Sequence, residues 1–384
     1  MSIERLGVAI VGCGTIGHTH IAAVSEFVEL KIVALVDVVE QSAVRFADAI
    51  EASGESRPSI YTELTQALED RAVDLVIIAT PTGLHIELGL AVLAAGKHLI
   101  IEKPLDVDLV QAQDIETAAL AAAERGIISS VISQHRFDPA SKIVAAALAA
   151  NRFGRLTSAI ASVAWWRSQD YYDAGDWRGT WAMDGGGALM NQGVHTVDLL
   201  LWFMGRPVEI FAHTGLLAHR RVEIEDVAVA TIRFESGALA VLHASTAAYP
   251  GLTVRMQVMG SAGSAIIDGD ELAYFHAADA GEDVGSSGLG GGGNQAAELL
   301  GVDEVRRDFV VNDPIAYPEG HLRQYEDILR AIHEGTEPAV RISDAVLALA
   351  AVRAIYISAT VHAPGLFDDV ITGKYNGLKV RTEK

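Results

Sequence analysis

The stretch Leu6–Gly17, with the sequence LGVAIVGCGTIG, decides the fold of this chain. Its apolar run Leu6–Val11 predicts a strand, and Gly12-Cys13-Gly14-Thr15-Ile16-Gly17 then forms a glycine-rich turn that leads into a helix-compatible stretch. A second apolar run, Lys31–Val36, ends at Asp37, about 20 positions after the last glycine of the turn. A strand, a glycine-rich turn, a helix, a strand and an acidic residue in this order are typical of a dinucleotide-binding βαβ unit.

The three glycines each fit a separate physical need of such a unit. Gly12 permits the tight turn, Gly14 lets the backbone approach a pyrophosphate, and Gly17 lets the helix pack closely on the strand. We expect the pyrophosphate at the N-terminus of the helix, beside Thr15 and Ile16, because the unpaired backbone N–H groups there attract an anion.

The acidic residue at the end of the second strand indicates which dinucleotide binds. The carboxylate of Asp37 can accept hydrogen bonds from the adenosine ribose hydroxyls and would repel a 2′-phosphate. No basic residue follows it in Val38-Val39-Glu40. The sequence therefore predicts NAD, rather than NADP, as the cofactor.

Strand-like and helix-like segments alternate up to about Gln134 and then change character. The repeated βα units predict an α/β chain whose residues 1–134 form a Rossmann domain with a doubly wound parallel sheet. Residues 135–384 are expected to form an α+β domain with a largely antiparallel open sheet, for substrate binding and oligomerisation. The glycine- and serine-rich segment Gly285–Gly293 is expected to be a surface loop. The strands expected in the second domain are Arg155–Trp165, Val208–Leu217, Val227–Phe234, Leu239–Ser245, Thr253–Met259 and Ala265–Asp268.

The composition excludes several classes of protein. The chain has 384 residues, 50% of them hydrophobic, and its 29 basic and 50 acidic residues give a net charge of −21, so a broad nucleic-acid-binding surface is not expected. Cys13 is the only cysteine, which rules out an intramolecular disulfide framework, and the spacing of the histidines and acids suggests no metal site. The N-terminus lacks the pattern of a secretory signal, and the most apolar long stretch, 345–363, carries Arg353 and His362. We therefore expect a cytoplasmic protein without a membrane anchor.

Three further motifs follow the βαβ unit in order along the chain. Ala79-Thr80-Pro81 precedes His85, Glu102-Lys103-Pro104 follows an apolar strand, and Asp184-Gly185-Gly186-Gly187 leads into Asn191-Gln192-Gly193-Val194-His195. With these motifs, nearly the whole chain resembles the glucose-fructose oxidoreductase/inositol dehydrogenase family, Gfo/Idh/MocA. The resemblance implies an NAD-dependent dehydrogenase that oxidises a secondary hydroxyl of a sugar, a sugar derivative or a cyclitol to a ketone, with hydride passing to C4 of the nicotinamide.

The Glu-Lys-Pro motif is the first candidate for this chemistry. It follows the strand-like run His98–Ile101, and ligands of an open parallel sheet gather at the carboxyl ends of its strands. In the family that this chain resembles, the lysine that matches Lys103 contacts the substrate hydroxyl or the cofactor, and the bond before the proline is often cis. The resemblance also implies that the cofactor site is lined by Glu102, Thr80, Pro81 and His85.

Asn191 and His195 are four residues apart on the next expected helix, Gly187–Met204, and so are expected to share one face of it. The resemblance makes His195 the general base, because an imidazole titrates near neutrality and can remove the hydroxyl proton as hydride leaves. Many relatives have an aspartate at the position of Asn191, and we expect the amide to orient a substrate hydroxyl instead. Lys103 is the alternative candidate for the principal base, and Asp198 is expected to be structural.

An aromatic and arginine cluster before this helix indicates the class of substrate. Trp166, Arg167, Tyr171 and Trp177 lie close together in a chain with only 6% aromatic residues. Sugar and cyclitol rings have apolar C–H faces that stack on aromatic rings, while their hydroxyls seek polar partners. The alternative is that these side chains fill a core or a subunit contact. His321, at the start of a late helix, is a further candidate for substrate binding because relatives often have a histidine there.

Two other functions are compatible with the sequence. A glycosidase that uses tightly held NAD to oxidise, eliminate and re-reduce makes no net redox change, and some family members work in this way. A non-catalytic NAD-binding sensor is the second alternative, because a fold does not determine a function. The resemblance also implies a homo-oligomer, either a dimer or a tetramer, that acts on a small polyol.

Overall fold

The structure of the chain, a computed structural model, describes residues 5–175, 177–279, 288, 293–300 and 319–382. The described residues form two compact units, one within Met1–Gln134 and Val310–Leu347 and the other within His135–Phe309 and Ala348–Lys384. The expected loop Gly285–Gly293 lies outside the described residues, except for Gly288 and Gly293.

The first unit contains a six-stranded sheet, which consists of β1 (Leu6–Val11), β2 (Leu30–Val36), β3 (Ser59–Tyr61), β4 (Leu75–Ile78), β5 (His98–Ile101) and β6 (Ser129–Val131). Its order is β3-β2-β1-β4-β5-β6, and every neighbouring pair is parallel. This order confirms the expected doubly wound sheet. The central strands β1 and β4 are buried along nearly their whole length, which explains why they read as continuous apolar runs rather than as alternating ones.

Between these strands the described chain forms five helices, which are α1 (Thr15–Ser25), α2 (Glu40–Ala52), α3 (Leu64–Glu69), α4 (His85–Ala94) and α5 (Leu109–Ala123). Parallel neighbours require such crossovers, because a tight turn cannot join two parallel strands. Helix α5 begins at a capping aspartate, since the side chain of Asp108 accepts a hydrogen bond from the N–H of Val110 at 2.8 Å.

The register of the first sheet determines which residues leave it at one edge. The last residues of β1, β2, β4 and β5 are paired with one another, strand by strand. The segments that follow these four strands therefore start side by side at the carboxyl edge. The expected cofactor residues Gly12, Asp37, Thr80 and Glu102 all lie in those segments.

The second unit contains an eight-stranded sheet, which consists of β7 (Leu156–Ala164), β8 (Pro207–Gly215), β9 (Val227–Phe234), β10 (Leu239–Ser245), β11 (Arg255–Gly260), β12 (Gly263–Asp268), β13 (Glu271–Ala277) and β14 (Gly365–Leu366). Its order is β13-β12-β11-β7-β10-β9-β8-β14. Strands β7 and β10 are parallel and the other pairs are antiparallel. The expected, largely antiparallel sheet is thus confirmed, and burial alternates along β9 as the two-residue period of a strand requires.

The remaining helices of the described residues are α6 (Pro139–Ala149), α7 (Gln169–Asp173), α8 (Val194–Met204), α9 (Ala296–Leu299), α10 (Glu319–Glu334), α11 (Ile342–Val361) and α12 (Phe367–Ile371). A π-helical segment, Ala188–Gly193, leads directly into α8, whereas the sequence predicted one regular helix from Gly187. By length and apolar composition α11 is able to cross a membrane, but it is mostly buried inside the protein, and buried core helices pass the same test.

Helix α10 belongs to the first unit, although the boundary expected at residue 134 assigned it to the second domain. The amide nitrogen of Gln324 donates to the carbonyl of Val131 at 2.8 Å, and its amide oxygen accepts the N–H of Ser133 at 2.9 Å. Tyr325 is fully buried in the apolar core of the same unit. Contacts of this kind join distant parts of the chain, so the local sequence pattern does not reveal them.

Candidate functional site

The glycine turn after β1 has the geometry of a phosphate-binding cradle. Gly12 has a φ of +99°, and a Cβ there would lie 2.5 Å from the carbonyl oxygen of Ala79. A Cβ on Gly17 would lie 2.2 Å from the carbonyl oxygen of Gly12, so only glycine permits this approach of α1 to the turn. At Gly14 a Cβ would have no atom within 4 Å, which leaves the N-terminus of α1, at Thr15, open to a ligand. These residues fit the pyrophosphate of a dinucleotide.

Asp37 is held at the carboxyl end of β2 by two backbone groups. Its Oδ2 accepts a hydrogen bond from the N–H of Cys13 and its Oδ1 accepts one from the N–H of Val39, each at 2.8 Å. A carboxylate accepts up to about four hydrogen bonds, so it has capacity left for ribose hydroxyls. Burial raises the pKa of the Cys13 thiol to about 12, which keeps the thiol protonated and unsuited to nucleophilic chemistry.

A buried histidine braces the turn that follows β4. His85 is only 1% exposed, and its Nε2 lies 2.9 Å from the carbonyl oxygen of Thr80 while its Nδ1 lies 2.8 Å from that of Pro104. Burial lowers the pKa of His85. The hydroxyl of Thr80, beside Pro81, is buried and has no hydrogen-bond partner in the described part of the chain, so it is available to a bound ligand. Contact of His85 with the cofactor stays a prediction.

A buried hydrogen-bond network surrounds Glu102, the first residue of the Glu-Lys-Pro motif. Its Oε1 lies 3.1 Å from Nε2 of His20 and 3.4 Å from Nε2 of His321, and its Oε2 accepts the backbone N–H of Lys103 at 3.0 Å. Nδ1 of His20 lies 2.8 Å from the hydroxyl of Tyr325. Because an ionised carboxylate only accepts, both Nε2 atoms carry a proton, and the tyrosine hydroxyl donates to Nδ1 of His20.

This network keeps Glu102 ionised. Burial opposes the charge, but hydrogen bonds from His20 and His321 outweigh burial and hold the pKa of Glu102 well below its ordinary value. Burial lowers the pKa of His20, so its imidazole stays neutral. A fixed negative charge therefore lies beside the backbone of Lys103. The bond between Lys103 and Pro104 is cis, as the family resemblance implied. His321 is buried in this network, and its contact with substrate stays a prediction.

In the second unit, Glu225 anchors the π-helical segment that carries Asn191. Its Oε2 accepts the N–H of Gly187 and its Oε1 accepts that of Leu189, both at 2.9 Å, while the hydroxyl of Tyr356 donates to Oε1 at 3.0 Å. A Cβ on Gly187 would lie 1.7 Å from the carbonyl oxygen of Glu225, which explains the glycine at this position. Burial raises the pKa of Glu225 to about 7. Glu225 was not predicted as a site residue from the sequence.

Asn191 is oriented by a buried carboxylate. Its Nδ2 donates to Oδ1 of Asp184 at 2.6 Å, and Oδ2 of Asp184 accepts the N–H of Gly179 at 2.8 Å. Because the carboxylate only accepts, the amide nitrogen of Asn191 faces Asp184 and the amide oxygen faces away from it. Asn191 lies in the π-helical segment and His195 in the first turn of α8, so the regular α-helical spacing expected for the pair does not extend through both.

His195 packs against a second histidine. The rings of His195 and His135 meet edge to face, with centroids 5.0 Å apart and planes at 82°. Nδ1 of His135 lies 2.8 Å from Oδ2 of Asp138 and 3.5 Å from Oδ1 of Asp270. Two carboxylates thus orient the ring that touches His195. His135 was not predicted as a site residue, because it is far from His195 along the sequence and belongs to no catalytic motif.

Asp198, one turn further along α8, forms a buried salt bridge with Arg136. Nε and Nη2 of the arginine donate to the two carboxylate oxygens at 2.7 and 2.5 Å, and both side chains are buried. A buried, two-point ion pair fixes the helix in place, and its loss would leave an uncompensated charge. This pairing agrees with the structural role expected for Asp198.

Three of the four residues in the expected aromatic and arginine cluster come together in the second unit. The guanidinium of Arg167 lies 5.3 Å from the ring centroid of Tyr171. The guanidinium of Arg178, which was not predicted, lies 4.4 Å from the ring of Tyr171 and 4.6 Å from that of Trp177. Trp166 packs instead against other rings of the same unit. Their contact with a substrate stays a prediction.

In the described part of the chain, two groups of side chains bring potential metal ligands within 4.8 Å of one another, although the spacing along the sequence suggested no metal site. The members of the first group are already hydrogen-bonded to one another, and the group consists of His20, Glu102 and His321. The second group, beside His195, consists of His135, Asp138 and Asp270. Both groups join distant parts of the chain, so sequence spacing could not reveal them.

Comparison with protein families identifies the class of this protein. The model of the oxidoreductase family with an NAD-binding Rossmann fold matches residues 6–132, and that of the GFO/IDH/MocA C-terminal domain matches residues 142–266. Together they span about two thirds of the chain. The chain therefore belongs to the Gfo/Idh/MocA family, and it is an oxidoreductase that binds NAD. The family, the fold class and the cofactor expected from the sequence are confirmed.

Individual relatives agree with this assignment. The chain is 29% identical over 275 residues to the oxidoreductase YrbE of Bacillus subtilis, which covers 69% of this chain and 74% of that protein. It is 27% identical over 270 residues to the myo-inositol 2-dehydrogenase of Thermotoga maritima, and the match covers 68% of this chain and 75% of that protein. The WlbA dehydrogenase of Chromobacterium violaceum, solved with NADH and UDP-GlcNAcA, is 26% identical, with a TM-score of 0.79 over 95% of this chain and 97% of that one.

Proposed function

We propose that this oxidoreductase oxidises one secondary hydroxyl of a sugar, a sugar derivative or a cyclitol to a ketone. Bound NAD supplies the hydride acceptor, C4 of its nicotinamide. The observation that carries the proposal is the network around Glu102, which fixes a buried negative charge beside Lys103, the residue that matches the family's catalytic lysine. The substrate class is supported by the relatives, one of which is a myo-inositol 2-dehydrogenase while another was solved with UDP-GlcNAcA.

His195 is the proposed general base. It removes the proton of the hydroxyl as hydride leaves the same carbon, a task that suits an imidazole because it titrates near neutrality. The ring of His135 packs against it and is itself oriented by Asp138, which limits the movement of His195. The amide nitrogen of Asn191 donates to Asp184, and we assign its amide oxygen as the acceptor for a neighbouring substrate hydroxyl.

Lys103 is the second proposed proton-handling group. We assign its Nζ to the substrate oxygen, as a hydrogen-bond donor or a proton relay. The carboxylate of Glu102 accepts the backbone N–H of Lys103 and so limits the conformations of the motif. Lys103 and His195 are the two candidates for the principal base, and the pH profiles of their single variants separate them.

A substrate panel tests the proposal. The purified chain is mixed with NAD or NADP and with pyranoses, anhydrosugars and inositols, and the absorbance of reduced nicotinamide is followed. We expect stoichiometric NADH with one group of substrates. His195→Ala and Lys103→Met should each lower turnover by about 10²- to 10⁴-fold while NADH binding, measured by fluorescence, persists. His213→Ala, which changes an exposed histidine on β8, is the matched control and should keep full activity.

The same panel distinguishes the two rival functions. A redox-neutral glycosidase would cleave a glycoside while the total amount of NADH stays constant. A sensor would bind NAD without turning over any substrate, and the variants at His195 and Lys103 would keep both NAD affinity and the biological response. Either result would replace the dehydrogenase proposal.

We also propose that the chain forms a homo-oligomer through the second sheet. Ile160, Val229 and Val241 are each 43% exposed and lie on the neighbouring strands β7, β9 and β10. Exposed apolar side chains on adjacent strands favour a contact between two copies of the same face. Sedimentation should therefore detect a dimer or a tetramer, and a monomer at micromolar concentration would contradict this proposal. The cytoplasmic location stays a prediction.

A further inference from the structure

Arg167 and Arg178 are both half-buried, and neither has an acidic partner among the described residues of the second unit. Neither guanidinium forms a salt bridge with any described residue, although acidic residues outnumber basic ones 50 to 29. Among the described residues, the side chain of Arg167 donates a hydrogen bond from Nη1 to the carbonyl of Trp166 at 3.1 Å and packs on aromatic rings. A half-buried cation loses part of its hydration, and contact with an aromatic face makes up only part of that loss. A ligand with negative charge would supply the missing counter-charge.

Both guanidiniums lie against the same ring. Tyr171 is 5.3 Å from Arg167 and 4.4 Å from Arg178, so the two charges are at most about 10 Å apart. Further aromatic faces lie under each arginine, with Trp165 at 5.2 Å from Arg167 and Trp177 at 4.6 Å from Arg178. The planar guanidinium fork matches the geometry of a carboxylate or a phosphate and binds either in a two-point manner.

The backbone of Arg167 is held in place before any ligand binds. Its N–H donates to the carbonyl of Thr246 at 2.9 Å, and its own carbonyl oxygen lies 2.8 Å from Nε2 of His219. Nδ1 of His219 in turn lies 3.0 Å from Oδ2 of Asp226, which fixes the ring. A binding group that is held in this way loses less conformational entropy when the ligand arrives.

Two contacts connect the arginine pair with the segment that carries Asn191. The hydroxyl of Tyr171 lies 3.4 Å from Nε2 of Gln192, the residue after Asn191. Asp184 binds the amide of Asn191 with one oxygen and the N–H of Gly179, the residue after Arg178, with the other. The arginines and the proposed substrate-orienting amide therefore belong to one connected group of residues.

We propose that Arg167 and Arg178 bind an anionic group, a carboxylate or a phosphate, on the polyol substrate. This inference rests on the proposed dehydrogenase function and narrows its substrate class from polyols in general to sugar acids, sugar phosphates and related anionic polyols. The aromatic faces of Tyr171 and Trp177 position the two guanidiniums, and these hold the anion. The rest of the polyol then extends toward Asn191.

Tryptophan fluorescence measures binding at this site directly, because all five tryptophans lie in the second unit, at positions 165, 166, 177, 181 and 202. The probes are glucuronate, galacturonate and glucose 6-phosphate, with glucose and myo-inositol as neutral controls. We expect the anionic probes to bind at least about tenfold more tightly than the neutral ones, because each pairs with a guanidinium. A stronger response to the uronates than to the phosphate, or the reverse, identifies the anion.

Single arginine variants test the assignment of residues. Arg167→Gln and Arg178→Gln should each weaken binding of the anionic probes by about 10- to 100-fold, the effect of losing a charge-assisted hydrogen bond, and leave neutral probes unchanged. Arg152→Gln, at an exposed arginine of the same unit, is the matched control and should change nothing. Arg167→Lys, which keeps the charge without the fork, should give an intermediate affinity and shows that the fold survives replacement of Arg167.

The proposal is overturned if neutral and anionic probes bind equally, if none of the anionic probes binds, or if both glutamine variants keep the anion affinity of the parent. Its failure is distinct from failure of the dehydrogenase proposal. Anion-dependent binding without NADH formation by any probe would contradict the dehydrogenase and leave the arginine site standing. NADH formation from neutral polyols, at rates that Arg167→Gln and Arg178→Gln do not change, would contradict the arginine site and leave the dehydrogenase proposal standing.

Discussion

Replacing Glu225 by glutamine should change how the stability of the second unit depends on pH. Glu225 is fully buried, and burial raises its pKa from 4.5 to about 7. The folded chain therefore binds the proton of this carboxyl more tightly than the unfolded chain does. As a result, the contribution of Glu225 to stability is most favourable below about pH 4.5 and falls as the pH rises through about 7. The glutamine variant carries no titratable group at this position and lacks that fall.

The size of the effect follows from the pKa. Each tenfold change in proton affinity is worth about 1.4 kcal/mol, so a rise from 4.5 to about 7 corresponds to about 3 kcal/mol in total. Between about pH 5 and pH 8, the free energy of unfolding of the parent should fall by about 2 to 3 kcal/mol relative to that of Glu225→Gln. The loss at high pH is the cost of a buried charge that hydrogen bonds from Gly187, Leu189 and Tyr356 offset only in part.

Urea unfolding followed by tryptophan fluorescence measures this difference, since all the tryptophans lie in the second unit. The parent and Glu225→Gln are unfolded at several pH values between about 5 and 8, and their free energies are subtracted so that the titration of all other groups cancels. Glu223→Gln, at an exposed glutamate nearby, is the control and should run parallel to the parent. A constant difference between the parent and Glu225→Gln across this range would show that folding does not raise the pKa of Glu225.

Three further substitutions have defined outcomes. Glu102→Gln turns an amide donor toward His20, His321 or the N–H of Lys103, and should lower the stability of the first unit by about 1–3 kcal/mol. Urea unfolding followed by circular dichroism measures this loss, and unchanged stability would contradict the proposed network. Asp198→Asn removes the charge that pairs with the buried Arg136 and should lower the free energy of unfolding by about 3–5 kcal/mol. Urea unfolding followed by tryptophan fluorescence measures this loss, and a loss below about 1 kcal/mol would contradict a buried ion pair. Asp37→Ala should weaken NADH binding about tenfold and reduce the preference for NADH over NADPH. Nucleotide fluorescence measures both affinities, and an unchanged preference would show that Asp37 does not select the cofactor.

Much of the fold could be predicted from the sequence where local pattern and tertiary structure agree. The glycine turn and Asp37 directly follow two strands of the first sheet. These strands are continuous apolar runs because both faces of the sheet are covered. Strands β9 and β10 begin and end at the residues expected from their alternating patterns. Strand β13 was missed although the two-residue turn before it, Gly269-Asp270, is a hairpin signal, and both of its residues adopt positive φ values.

The partners of the site residues were harder to predict, because folding brings them together from distant positions. His20 and His321 meet at Glu102 only once α10 packs into the first unit. The role of Glu225 has one local signal, a pair of acids directly before β9, and this pattern is also common at exposed turns. Residue types could thus predict the cofactor edge and name Lys103 and His195 as candidates, whose roles stay predictions, but they could not reveal the network around Glu102.

The regular helix expected across Asn191 and His195 shows a different limit. The glycines before it suggested only that a turn leads into a helix. The structure has a π-helical segment there, anchored by the buried Glu225, and Asn191 bound to Asp184. This segment depends on hydrogen bonds to the carboxylate of Glu225, which lies just before β9 and far along the chain. Neither helix propensity nor periodicity therefore predicts it.

Isotope transfer tests the central claim most directly. A polyol substrate that carries deuterium on its hydroxyl-bearing carbons is incubated with the enzyme and NAD, and the nicotinamide and the sugar product are analysed by mass spectrometry. We expect one deuterium at C4 of the NADH for each ketone formed, and loss of both products in His195→Ala. A cleaved glycoside without net NADH, or NADH that contains no deuterium, would contradict it.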